Sequence, residues 1–118
     1  MAAIIVYGIA NCDTIKKTLA FFKEQKIDFD FWDYKKSGIG KQTLLDWCKK
    51  VGWQILLNKK STTWRGLPLA QQEKITNQAE AIKLMQENTS IIKRPVIDFG
   101  DKLIVGFNET VIKGLLNN

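Results

Sequence analysis

The chain has 118 residues, which suits one compact domain, and at 45% hydrophobic and 25% charged it has the composition of an ordinary soluble globular protein. Its net charge is +6, and its cationic doublets, Lys16-Lys17, Lys35-Lys36, Lys49-Lys50, Lys59-Lys60 and Lys93-Arg94, are dispersed, which reads as a solvated surface and not as a nucleic-acid patch. Histidine is absent and Cys12 and Cys48 are the only cysteines, which excludes Ser-His-Asp and Cys-His catalysis, imidazole bases, His-bearing zinc sites and a Cys-only zinc site within one chain.

Ile4-Ile5-Val6-Tyr7, closed by Gly8, predicts a short buried strand. After the loop Gly8-Ile9-Ala10-Asn11, the segment Asp13 to Lys26 carries Ile15, Leu19, Phe22 and Lys26 at spacings of three and four, the mark of an amphipathic helix. Asp28 to Tyr34 alternates polar and aromatic residues and predicts a second strand, so the chain opens as strand, helix, strand with the two strands parallel. Lys41 to Val51 is helical, with Gly52 as a stop signal. The stretch to Asn88 reads as further, broken helix, including a long one from Gln71 to Glu87. Beyond Arg94-Pro95, Val96 to Phe99 and Leu103 to Val105 form a hairpin around Gly100-Asp101, and Glu109 to Leu116 is a final helix. This order predicts a single α/β domain over residues 1–118, thioredoxin-like with a mixed sheet, and a helical insertion over about 38–90.

The apolar run Ala2 to Ala10 lacks a preceding Lys or Arg, Asn11 rather than a small residue precedes Cys12, and nothing approaches the ~18 apolar residues of a membrane span. The expected compartment is the cytoplasm, where thiols stay reduced. Neither a membrane, nor a metal, nor a bound cofactor is expected.

Chemistry concentrates at Cys12. At the start of the first helix, free N–H groups and the positive end of the dipole favour a thiolate, and Lys16 one turn on adds a cation, while Asp13 opposes it. The alternative is an inert cysteine capping the strand–helix junction. A C-x-x-C pair would need cysteine where Ile15 stands, and a C-x5-R phosphatase loop would need arginine where Thr18 stands. Monothiol chemistry remains, with an external thiol resolving the mixed disulfide. The spacing of Cys48 with Leu44 and Val51 puts it on an apolar helix face as a structural thiol.

The motifs Gly8-Ile9-Ala10-Asn11-Cys12-Asp13-Thr14-Ile15-Lys16-Lys17, Trp32-Asp33-Tyr34, Gly52 to Asn58, Thr62-Thr63-Trp64-Arg65 and Ile91 to Pro95, in this order, closely resemble the ArsC/Spx family of arsenate reductase-like, thioredoxin-like proteins, in its YffB-type branch. The resemblance runs from about Ile4 to Leu116. It implies a thiol reductase whose nucleophile is Cys12, with glutathione as co-substrate and glutaredoxin as a further partner. It also implies that Pro95 follows a cis bond facing the cysteine, and that Arg94 stabilises the thiolate and binds a substrate anion. Asn11 and Thr14 are further candidates to hydrogen-bond sulfur or substrate.

Of the three arginines that serve arsenate chemistry in the family, one matches here, Arg94, with Asn58 and Gly106 at the other two places. That removes most of the bidentate character an oxyanion site needs and weighs against arsenate as substrate. Lys59, Lys60 and Arg65 are near enough in sequence to supply replacement charge, of which Lys60 and Arg65 join Lys16 and Pro95 as candidate substrate or glutathione contacts. The leading reading is a glutathione-dependent monothiol reductase acting on a small oxyanion or a disulfide. Two others stand beside it: an Spx-like regulator that binds RNA polymerase, and a non-catalytic interaction protein.

Overall fold

The computed structural model describes residues 3–116. Its sheet has four strands in the order β2-β1-β3-β4: β1 (Ile5–Gly8), β2 (Asp30–Asp33), β3 (Val96–Asp98) and β4 (Leu103–Val105). β1 pairs parallel with β2 across the helix α1 (Asp13–Glu24), as the opening pattern requires. β3 runs antiparallel to β1, and β4 antiparallel to β3.

Strand periodicity sorts the side chains into two cores. Val6 and Ile97, partners in the ladder, point to one face, where they meet Phe21 and Phe22 of α1 and Ile112 of the last helix, α8 (Glu109–Leu116). Their neighbours Tyr7 and Val96 point to the other face, which the helical segment covers. That segment comprises α2 (Tyr34–Ser37), α3 (Lys41–Val51), α4 (Trp53–Leu56), α5 (Thr62–Arg65), α6 (Leu69–Glu73) and α7 (Gln78–Glu87). Tyr7 meets Trp47 of α3 edge to face with ring centroids 4.7 Å apart, an arrangement aromatic rings favour. Each fully buried aliphatic chain here, such as Leu44, Leu56 or Ile92, contributes roughly 1.5–3 kcal/mol of transfer free energy.

Two sequence expectations differ in detail. The second strand ends at Asp33, because its carboxylate caps α2 by accepting from the Lys35 and Lys36 amides, and Tyr34 turns into the core. The long helix expected over Gln71 to Glu87 is two helices. Ile75 buries itself between them, and Asn77 caps α7 by accepting from the Glu80 amide at 3.0 Å. Trp47 and Trp64 are core residues, whereas Trp32 on the edge strand is exposed and its indole N–H donates to the Gly38 carbonyl at 2.8 Å. Among the described residues, no helix is long and apolar enough to cross a membrane.

Candidate active site

Cys12 is the N-cap of α1, in extended backbone at φ −141° and ψ 129°. β1 and the loop after it deliver the sulfur to the start of a twelve-residue helix, where unpaired N–H groups and the helix dipole favour an anion. The sulfur closes no cap hydrogen bond of regular geometry, yet the Ile15 and Thr14 amides act on it. Burial pushes the Cys12 thiol up, but the Ile15 amide, the Arg94 guanidinium and the Thr14 amide together outweigh that and hold it below the ordinary thiol range. Lys16 and Asp13 lie exposed on the first turn and do not enter this balance. The expected help from Lys16 is therefore corrected: the cation that acts on the sulfur comes from across the fold.

That cation is Arg94, immediately before the cis peptide bond to Pro95. Its Nη1 donates to the Ser90 carbonyl at 3.0 Å, which leaves the guanidinium beside both Cys12 and Tyr34. Burial works against its charge, while Cys12 and Tyr34 favour it. Asp98, on β3, accepts from the Gly100 amide at 2.7 Å. Tyr34 is fully buried behind the arginine and donates to the Ile92 carbonyl at 3.1 Å. Burial raises its pKa far above the ordinary phenol value, so it stays neutral.

Cys12 and Arg94 open onto one cavity of about 440 Å³. Ile9 and Asn11 line it from the loop before α1, and Lys35 from α2. The opposite wall is Asn58, Lys60 and Ser61 from the turn between α4 and α5 and Thr62 and Thr63 from the start of α5, with Ser90 on the Arg94 side. Two sets of hydrogen bonds hold these walls. Asn58 donates its amide to the Ile91 carbonyl and Lys93 donates to Leu56, each at 2.8 Å, which ties the second wall to the segment carrying Arg94. Asp33 ties the first: Oδ2 accepts from the Ala10 amide at 3.3 Å, and Oδ1 from the Lys35 amide at 2.9 Å.

Of the residues singled out in the sequence, the fold brings Cys12, Arg94, Asn11 and Lys60 together around this cavity; Thr14 serves through its backbone amide. Lys16, Arg65 and Pro95 do not line it. Lys59 turns away, its ammonium 5.5 Å from the centroid of the Trp64 ring. Lys35, Ser61, Thr62, Thr63 and Ser90 were missed, because no local pattern marks them and they meet only across the sheet end and the helical segment. Cys48 is a buried core residue packed among Leu44 and Trp47, with its thiol pushed up by burial.

A thiol held low at a helix start, with a guanidinium beside it in an open polar cavity, is the arrangement of a reactive cysteine. The model of the ArsC family matches residues 7–115. The chain belongs to the ArsC family. An ArsC-family chain of this kind has a relative in Haemophilus influenzae, an uncharacterized protein 40% identical over 106 residues, which covers 90% of this chain and 92% of that one. The solved YffB protein is 41% identical with a TM-score of 0.89, covering 94% and 96% of the two chains. Global transcriptional regulator Spx 2 of Bacillus anthracis is 24% identical, over 96% of this chain and 86% of its own. A glutaredoxin from Archaeoglobus fulgidus, 23% identical with a TM-score of 0.50 over all of this chain and 89% of that one, shares the fold. The fold is thioredoxin-like, that of the arsenate reductase-like thiol reductases.

Proposed function

We propose that this ArsC-family protein is a cytoplasmic, glutathione-dependent monothiol reductase with Cys12 as nucleophile. The observation that carries it is the pairing of a depressed Cys12 thiol with Arg94 in a cavity whose other charged side chains are Lys35 and Lys60 and which, among the described residues, no carboxylate lines. With a glutathione adduct as substrate, the Cys12 thiolate attacks the glutathione sulfur. A Cys12–glutathione disulfide forms, the substrate S–S bond breaks, and the substrate sulfur leaves as a thiolate that takes up a proton. A second glutathione thiolate then attacks the mixed disulfide, freeing Cys12 as a thiolate and leaving oxidised glutathione. The substrate gains two electrons, and no group needs to stay bound between turnovers. Arg94 stabilises the thiolate both as attacking and as departing group.

Arsenate fits this cavity less well. Arg94 is the one guanidinium that lines it; Asn58 is at the wall, and neither Gly106 nor Arg65 is. A tetrahedral, multiply charged oxyanion would meet two lysine point charges in place of forks.

The test is alkylation of Cys12 against pH, with and without glutathione, read by mass, alongside reduction of a glutathionylated peptide. Alkylation faster than a free thiol near neutrality, a single glutathione adduct and loss of turnover in Cys12→Ser are expected. Alkylation at the free-thiol rate with no adduct sinks the reading. The likeness to Spx 2 along nearly the whole chain supports a second reading, binding of RNA polymerase. Retention of purified polymerase on the immobilised protein, equally well by Cys12→Ser, would favour it.

A further inference from the structure

We propose that Lys35 is the specificity-determining residue of this site, the cation that selects an anionic thiol as the resolving co-substrate, and that Asp33 is the positioning residue that sets it against Cys12. The inference rests on the monothiol reading above.

Three cationic side chains line the cavity, and they are not equivalent. Arg94 is committed, with Nη1 on the Ser90 carbonyl and its guanidinium engaged with Cys12 and Tyr34. The ammonium groups of Lys35 and Lys60 make no hydrogen bond or ion pair with another described residue. They are the charges left for a ligand. Of the two, Lys35 is the one indexed to the nucleophile. Its amide and the amide of Ala10, two residues before Cys12, are held by the two oxygens of one carboxylate, Asp33. α2 is a single turn, so its orientation depends on that cap and on Tyr34, which is anchored in the core. Successive helical residues diverge by about 100°. Tyr34 therefore points inward, and of the two exposed lysines that follow it Lys35 lines the cavity and Lys36 does not.

A thiol that resolves the Cys12 adduct must bring its sulfur to Cys12 while the rest of it lies in the cavity. A carboxylate on that remainder meets the Lys35 ammonium, and an ammonium on it meets repulsion. Partly solvated charges a few ångströms apart change a rate by about threefold to tenfold, not by orders of magnitude.

The experiment blocks Cys12 with methyl methanethiosulfonate, giving a small neutral Cys12–S–S–CH3 adduct, and follows its loss by mass after acid quench. Three thiols are compared at equal thiolate concentration: 3-mercaptopropionate, 2-mercaptoethanol and cysteamine. In each case the incoming thiolate forms a new S–S bond with the attacked sulfur, and the other sulfur leaves as a thiolate. The readout is each charged thiol's rate relative to that of 2-mercaptoethanol. Lys35→Gln is expected to lower the mercaptopropionate ratio about threefold to tenfold and to raise the cysteamine ratio, the division by the 2-mercaptoethanol rate removing the effect on the thiolate that all three reagents share. Lys35→Glu goes further in the same direction. Lys36→Gln, with the same change in net charge, leaves both ratios as in the wild type. Asp33→Ala behaves like Lys35→Gln, and Asp33→Asn, which keeps a cap acceptor, recovers most of the ratio. Unchanged ratios in Lys35→Gln overturn the inference and leave the reductase reading intact. An adduct that all three thiols fail to remove from the wild type overturns both.

Discussion

The Ile15 side chain occupies the space that a β-carbon on Gly8 would need. That contact lets α1 sit close over the end of β1, and it places Cys12 where Arg94 can reach it. Gly8→Ala is therefore expected to cost about 1–3 kcal/mol, the usual penalty for overpacking a core. The urea midpoint should fall accordingly. Trimming the partner in a Gly8→Ala/Ile15→Val double variant should recover part of the loss, and strictly additive costs would show that the two residues do not compete for space.

Arg94→Gln removes the side-chain partner of the Cys12 sulfur but leaves the Ile15 and Thr14 amides in place. The midpoint of Cys12 alkylation against pH should move up without reaching the free-thiol value. Near neutrality the rate should drop roughly threefold to tenfold, the contribution of a charge-assisted hydrogen bond once solvent screening is allowed for. Arg94→Lys should restore little of it, because a point charge does not replace a fork held on the Ser90 carbonyl. A profile identical to the wild type in both variants would remove Arg94 from the activation of the thiol.

The depressed thiol also links folding to pH. Because the folded pKa of Cys12 lies below that of an unfolded thiol, its contribution to stability is fully present above the unfolded thiol pKa. It is lost as pH falls through the lower, folded value. Wild type minus Cys12→Ser stability, from urea midpoints across that window, should rise with pH. A flat or falling difference would contradict the depressed pKa.

Cys48 should be silent in the folded protein. Its thiol is buried among apolar side chains and raised by that burial, so an alkylating reagent should modify one cysteine in the native state and two after denaturation. Cys48→Ser should cost about 1–3 kcal/mol, the penalty for burying a hydroxyl without a partner. The Cys12 alkylation profile should be unchanged; a shift in it would mean that the two thiols communicate.

Much of the fold is legible because it is local. Short continuous apolar runs mark β1, β3 and β4, and the three-and-four spacing of Ile15, Leu19 and Phe22 marks α1. Gly52 ends α3 where the sequence says it should, at a positive φ of 88°. Misread points are those where a polar side chain overrides a period. Asp33 stops an aromatic strand by capping α2, and Asn77 restarts a helix after Ile75 has been pulled into the core.

The sequence alone determined the chemistry available: no imidazole, no partner cysteine one turn from Cys12, and a helix start immediately after it. These are properties of composition and short-range spacing. Tertiary structure decided which charges serve the thiol. Lys16, one turn away in the chain, points to solvent, while Arg94 and Lys35 reach the cavity. The first comes on the segment entering an antiparallel strand beside β1, and the second on a helical turn that Asp33 hydrogen-bonds to the cysteine loop. Side chains far apart in sequence acquire a common site only when sheet pairing and caps fix their backbones against one another, and no local pattern encodes that distance.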